Sequence, residues 1–252
     1  AIKYFSDGKG NKLELTEIYE APTPGVTLEL TIDMRLQMAV ENELDNVVSK
    51  YSPEQALIMA MDPKTGEILA MASRPNFNNN EYQKYSTEII NRNLPIWMTY
   101  EPGSTFKIIT LSAALEEKTI NLFEDTFHDS GAIEVDGAVI HCWKHGGHGT
   151  QKMIEVVENS CNPGFVKIGQ TLGTDKLMSY INNYGFGSKT GVDLNGESSG
   201  ILFKPENMGP VELATTSFGQ GISVTPIQQV TAVSAVVNGG NLFQGYENDL
   251  WP

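Results

Sequence analysis

The stretch Tyr100-Glu101-Pro102-Gly103-Ser104-Thr105-Phe106-Lys107-Ile108-Ile109-Thr110-Leu111-Ser112-Ala113-Ala114-Leu115 decides how this chain is read. Pro102 and Gly103 are turn formers, and Phe106, Ile109 and Ala113 follow at helical spacing, so a helix with an apolar face is predicted to open at Ser104. Residues three apart share a helix face, which sets the Lys107 amine beside the Ser104 hydroxyl. A serine hydroxyl is a weak nucleophile, and a lysine serves as its base only where burial lowers the amine pKa. The apolar helix supplies that burial, and its N-terminal N–H groups would face a developing oxyanion. Ser-x-x-Lys also recurs on exposed helices as an N-cap serine with a solvated lysine, so the pair alone does not settle the chemistry.

Downstream, Met153 to Val157 reads as a short helix ending at Ser160-Cys161-Asn162-Pro163, where the proline stops the preceding residue from continuing helically, and a further helix is predicted from Pro163 to Leu172. Pro226 to Val237 is an apolar helix closed by Asn238-Gly239-Gly240. Upstream, the alternation from Val26 to Asp33 predicts a strand. Met34 to Val48 then places Leu36, Val40, Leu44 and Val47 on one helical face, with Asp33, Glu41 and Glu43 solvated. Ala56 to Met61 and Glu67 to Ala72 flank Asp62-Pro63-Lys64-Thr65-Gly66, the chain's best hairpin signal. Residues 74–100 read as a long surface connection, and residues 1–24 as a linker or the remnant of an N-terminal domain.

The formal net charge of -14 is spread along the chain, which argues against a nucleic-acid surface. No run approaches the roughly 18 apolar residues of a membrane span, so any anchor is expected outside this sequence. Trp97, Tyr100 and Trp143 are candidates to line a cleft, while Phe218-Gly219-Gln220-Gly221 lacks the lysine of a phosphate loop.

Both cysteines and all four histidines fall between His128 and Cys161. Three readings compete. Cys142 and Cys161 with His145 or His148, and Asp129 as a fourth donor, suit tetrahedral zinc. A Cys142–Cys161 disulfide would pin the Ser160-Asn162 turn as a redox switch. Buried free thiols with loop histidines are the plain structural alternative. The concentration of these residues beside Ser104 favours zinc, then the disulfide.

Glu101-Pro102-Gly103-Ser104-Thr105-Phe106-Lys107 together with Ser160-x-Asn162 resembles the first two motifs of the penicillin-binding and serine β-lactamase superfamily. Leu28 to Asp33 with Leu36-Gln37, the hairpin from Met61 to Ser73, Tyr184-Gly185-Phe186-Gly187, and Ser217-Phe218-Gly219-Gln220-Gly221 with Thr225-Pro226 are similar to class B penicillin-binding proteins. His141-Cys142-Trp143-Lys144, Gly146-Gly147-His148-Gly149 and Asn159-Ser160-Cys161-Asn162 resemble their sporulation-specific members.

The resemblance implies an α+β transpeptidase domain over residues 25–252, a sheet flanked by helices with an all-helical lobe. It implies a Ser104 acyl-enzyme formed from peptidoglycan stem peptides, with Lys107 as base, Ser160 as proton relay and Asn162 holding the substrate amide. It further implies β-lactam antibiotics as ligands, a membrane glycosyltransferase partner, a place on the extracytoplasmic face of the membrane or forespore envelope, and no cofactor for acyl transfer. A β-lactamase or D,D-carboxypeptidase would share the acylation step, and a silent cell-wall binding module would lack it.

The superfamily's third motif, Lys-Thr-Gly on a strand, is matched literally by Lys189-Thr190-Gly191, but its place after Tyr-Gly-Phe-Gly marks it as a decoy. The true motif is expected beyond residue 243, and the domain to be incomplete at its C-terminus.

Overall fold

The computed structural model describes residues 2–3, 5–11, 13, 18–19, 21–25 and 27–243. The chain divides into two compact units, Ala1–Glu29 with Asp249–Pro252, and Leu30–Asn248. In the first, the strands β1 (Ile2–Lys3) and β2 (Ile18–Tyr19) pair antiparallel.

The larger unit opens with α1 (Met34–Tyr51), capped by the Asp33 carboxylate, which accepts from the amides of Arg35 and Leu36. The strand predicted from Val26 to Asp33 does not form. Val26 lies outside the described residues, and among the rest only Leu30 makes a bridge. Asp33 is taken up by the helix cap, and Thr31 and Asp33 bond the Ile68 and Leu69 carbonyls singly rather than as a ladder. Leu28 and Leu30 stay exposed.

The hairpin forms where the sequence puts it. β3 (Ala56–Met61) and β4 (Ile68–Arg74) pair antiparallel, with a bulge at Ala60/Met61. The Asp62 carboxylate accepts from the Lys64 amide at 2.7 Å, and Gly66 takes the positive φ that closes the turn. The connection 74–100 is less open than its polar composition suggests. It holds a 3-10 helix at Asn79–Lys84 and two one-turn helices, α2 (Thr87–Ile90) and α3 (Leu94–Trp97).

Gly103–Phe106 is a 3-10 turn leading into α4 (Lys107–Glu116), so Ser104 sits on a tighter turn than an α-helix gives. Phe106, Ile109 and Ala113 are fully buried, as their spacing predicts. Truncating Phe106 to alanine is expected to cost about 3–5 kcal/mol. The region 126–152, for which no element was predicted, holds four short strands: β5 (Thr126–Asp129), β6 (Ala132–Val135), β7 (Ala138–His141) and β8 (Gly149–Lys152). β5 pairs with β8 and β6 with β7, which draws Asp129, Cys142 and His148 towards one another.

α5 (Met153–Glu158) and α6 (Asn162–Leu172) flank the Ser160 turn as the sequence predicts. α7 (Thr174–Asn183), α8 (Pro210–Thr216) and α9 (Pro226–Val237) complete the larger unit. One cluster of buried side chains joins Phe106 of the 3-10 turn and Ile109 of α4 to Leu177 and Ile181 of α7 and Ala232 of α9. A second packs Ala114 against Phe165 and Ile168 of α6, Val156 of α5 and both cysteines. α4 lies between them, held from both sides.

Candidate active site

Lys107 is the centre of the site. Its side chain is 4% exposed, and its amine donates to the Ser160 carbonyl at 2.7 Å, to Ser160 Oγ at 2.9 Å and to Asn162 Oδ1 at 2.7 Å. It also stands over the Phe165 ring, 5.1 Å from the centroid. Burial pushes its pKa down from 10.5 to about 8, with Cys161 and then Cys142 acting weakly in the opposite direction.

Ser160 reaches this position through an unusual backbone. Its φ of 49° lies in the left-handed region that non-glycine residues rarely occupy. The local reason is the junction of two helices: Ser160 N–H bonds the Val157 carbonyl, Cys161 N–H bonds Val156, and α6 starts at Asn162 with Pro163 beside it. That kink turns the carbonyl and hydroxyl of Ser160 together towards Lys107.

Ser104 is exposed, one helical turn before Lys107. Among the described residues its hydroxyl has no hydrogen-bond partner, so it is open to a ligand. Four residues that the sequence places in two separate segments thus comprise an exposed serine three residues before a buried lysine whose amine is held by Ser160 and Asn162.

Lys189-Thr190-Gly191 is in a loop. The Glu197 carboxylate takes the Thr190 amide at 2.6 Å, the Thr190 hydroxyl at 2.7 Å and the Gly191 amide at 3.1 Å. Thr190 and Gly191 are thus engaged within the loop by Glu197.

The cysteines and one histidine lie directly behind the Ser160 turn. Asp129, Cys142, His148 and Cys161 each offer a donor atom, all within 4.8 Å of one another. His148 Nδ1 is 2.8 Å from Asp129 Oδ2 and 3.3 Å from Cys142 Sγ, and Cys161 Sγ is 3.4 Å from Asp129 Oδ2. Both cysteines are free thiols. Burial, then the Asp129 carboxylate, raises both thiol pKa values, that of Cys161 to about 12. Burial alone would push Asp129 up as well. Hydrogen bonds from Cys142, the Gly131 amide and His148 outweigh it and hold the carboxyl well below the usual range.

His145 is not among the converging donors. It sits in the turn closed by Gly147 N–H to the Lys144 carbonyl, with its side chain exposed. Gly147, at φ 77°, is needed there because a Cβ would run into the backbone at Asp129 and Gly131. Asp129 completes the set in place of His145.

Of the aromatic candidates, Trp143 lies nearest the second motif: its indole N–H bonds the Asn159 carbonyl at 2.8 Å and its ring meets His148 edge-on. Trp97 stacks with Arg92 instead, and Tyr100 packs against the α4 core.

Residues 56–246 match the penicillin binding protein transpeptidase domain. The chain belongs to this family. It is 56% identical to stage V sporulation protein D of Bacillus subtilis (strain 168) across its whole length, which covers 39% of that relative. It is 32% identical to the peptidoglycan D,D-transpeptidase FtsI of Escherichia coli (strain K12) over 80% of this chain and 33% of that one. The chain therefore spans well under half the length of these curated relatives. Among solved structures it is similar to the apo transpeptidase domain of Burkholderia pseudomallei penicillin-binding protein 3, with a TM-score of 0.77 and 26% identity over 91% of this chain and 64% of that one. The α+β penicillin-binding fold expected from the motifs is the fold observed.

Two contributors to the site escaped the sequence reading. Glu101, three residues before Ser104, accepts from the Gly221 amide, and Gln229 donates to the Thr105 carbonyl. Glu101 was legible only as part of the Glu-Pro-Gly turn, and nothing in the apolar helix around Gln229 marks it.

Proposed function

We propose that this chain is the acyl-transfer domain of a peptidoglycan D,D-transpeptidase. The observation that carries this reading is Lys107, a buried lysine of lowered pKa held by Ser160 and Asn162 one turn from an exposed serine. In its neutral form Lys107 takes the proton of Ser104 as Oγ attacks the carbonyl of the penultimate residue of a D-Ala-D-Ala stem. An ester to Ser104 forms, the peptide bond breaks, and the departing D-Ala amine receives a proton relayed from Lys107 through the Ser160 hydroxyl. The amine of a second stem then attacks the ester, forming the cross-link and returning the proton to Ser104. The amide of Asn162 borders the cleft and aligns the substrate backbone, and the Ser104 N–H faces the oxyanion.

A β-lactam presents a strained amide to the same hydroxyl, so penicillins acylate Ser104. The likeness to a sporulation protein supports a role in spore-envelope peptidoglycan, on the extracytoplasmic face of an anchored protein working with a glycosyltransferase. No helix among the described residues is long and apolar enough to cross a membrane.

The deciding experiment supplies a D-Ala-D-Ala donor peptide with an amine acceptor. Aminolysis product exceeding hydrolysis product supports a transpeptidase. Hydrolysis alone points to a carboxypeptidase or β-lactamase, and no turnover to a silent binding module.

The four-donor cluster supports a second reading, a bound zinc. The donor chemistry fits: two sulfurs, an imidazole and a carboxylate are the ligands zinc takes, and the four donor atoms already converge within 4.8 Å of one another, near enough to close on one ion with small side-chain shifts. The ion would act structurally, tying Asp129, Cys142, His148 and Cys161 together behind the Ser160 turn.

A further inference from the structure

The loop Ser217-Phe218-Gly219-Gln220-Gly221 carries no nucleophile, base or phosphate-binding lysine, yet it and the start of α9 hold the whole turn that presents Ser104. The Gly103 amide donates to the Gly219 carbonyl at 2.9 Å, and Tyr100 and Val224 exchange two backbone bonds at 3.0 and 2.9 Å. Thr110 Oγ1, a turn beyond, donates to the Ser217 carbonyl at 2.9 Å. Gly219, at φ 80°, lies so close that a Cβ would strike the Gly103 carbonyl and the Phe106 side chain.

Two further bonds come from side chains. Glu101 Oε1 accepts from the Gly221 amide at 2.9 Å, and Gln229 Nε2 donates to the Thr105 carbonyl at 3.1 Å. They act on either side of Ser104 in the chain, three residues before it and one after. Gln229 is 7% exposed, and its Oε1 is buried without a partner among the described residues. An apolar side chain would avoid that unsatisfied oxygen, so the amide is costly as packing alone. What it supplies is a side-chain donor to the carbonyl of Thr105, the residue after Ser104.

Resting on the transpeptidase reading, we propose that Glu101 and Gln229 are positioning residues: Glu101 ties the segment before Ser104 to the Gly221 amide and Gln229 holds the Thr105 carbonyl after it, so that the Ser104 Oγ and N–H meet the substrate carbonyl together while Lys107 stays in reach. Neither touches the reacting atoms. An exposed hydroxyl on a short 3-10 turn has no bond of its own to hold its direction, and a misplacement near 1 Å at a reacting centre costs on the order of 100-fold in rate.

The test uses the full chain and a fluorescent penicillin, with the acylation rate separated from the initial binding constant by varying ligand concentration. Glu101→Ala and Gln229→Leu are expected to lower the acylation rate about tenfold or more while the binding constant stays within about twofold and the melting temperature is retained. Glu101→Gln keeps an oxygen for the Gly221 amide and is expected to acylate close to wild type. Losses that track the folded fraction alone, or unchanged acylation rates in both folded variants, would overturn the proposal. A Glu101→Gln variant as slow as Glu101→Ala would also count against it, because the hydrogen bond would then not be what acts. Failure of wild type to acylate at all would remove the transpeptidase reading and this inference together, whereas normal wild-type acylation with unaffected variants removes the inference alone.

Discussion

Lys107 Nζ lies 2.9 Å from Ser160 Oγ and 2.7 Å from the carbonyl of the same residue, so one serine supplies two of the three acceptors around the buried amine. Ser160 can do this because its backbone is left-handed, at φ 49°. The three acceptors match the three hydrogens of an ammonium. On losing one proton the amine gains a lone pair, and the Ser160 hydroxyl can reverse and donate to it, which is the exchange a proton relay requires.

The first prediction concerns pH. With the Lys107 pKa lowered to about 8, the base form is scarce below that value. The acylation rate by a β-lactam should therefore climb about tenfold per pH unit on the acid side and level off above about 8. Lys107→Arg, whose side chain stays charged, should give no such rise and little acylation. Stopped-flow acylation across the pH range checks both.

The same depressed pKa fixes the sign of a stability effect. The unfolded chain holds the Lys107 proton up to the ordinary value of 10.5 and the folded chain releases it near 8, so between these the unfolded state binds more protons. Lys107 thus makes stability rise with pH across that window, and the rise should vanish in Lys107→Met. Denaturant titrations of both proteins at several pH values measure it.

Ser160→Ala removes the relay but leaves the backbone carbonyl bonded to Lys107. Acylation is expected to fall by on the order of 10²-fold, the range of general acid–base contributions, with stability within about 1 kcal/mol of wild type. Comparable losses of folding and activity would contradict the relay.

For the donor cluster, His148→Ala and Cys161→Ser should abolish a bound zinc, whereas His145→Ala should keep it, because His145 is exposed in the turn beside the cluster. Native mass spectrometry of the three variants reads one retained or lost ion per chain. Loss in His145→Ala, or no ion in wild type grown with zinc, would reject the reading.

Much of the scaffold was legible because short-range rules governed it. The 3.6-residue spacing of Phe106, Ile109 and Ala113 marked α4, and Asp62-Pro63-Lys64-Thr65-Gly66 marked the hairpin. Pairs of short motifs marked the chemistry, since Ser104-x-x-Lys107 gains meaning only beside Ser160-x-Asn162. The strand predicted near Leu28 failed because Asp33 caps α1 and local hydrogen bonding overrode alternation. Choosing His148 over His145 needed a turn geometry set by Gly146 and Gly147, and the β5–β8 pairing is what carries Asp129, named from the sequence as a fourth donor, to the thiols. The bonds made by Glu101 and Gln229 were invisible for a deeper reason: they span 120 and 124 residues, which no local pattern records.

The most direct measurement is intact-mass spectrometry after incubation with a β-lactam, followed by peptide mapping. A single covalent adduct on Ser104, absent from Ser104→Ala, is the predicted result. An unmodified wild-type chain, or an adduct that persists in Ser104→Ala, would contradict the assignment of Ser104 and Lys107 as nucleophile and base.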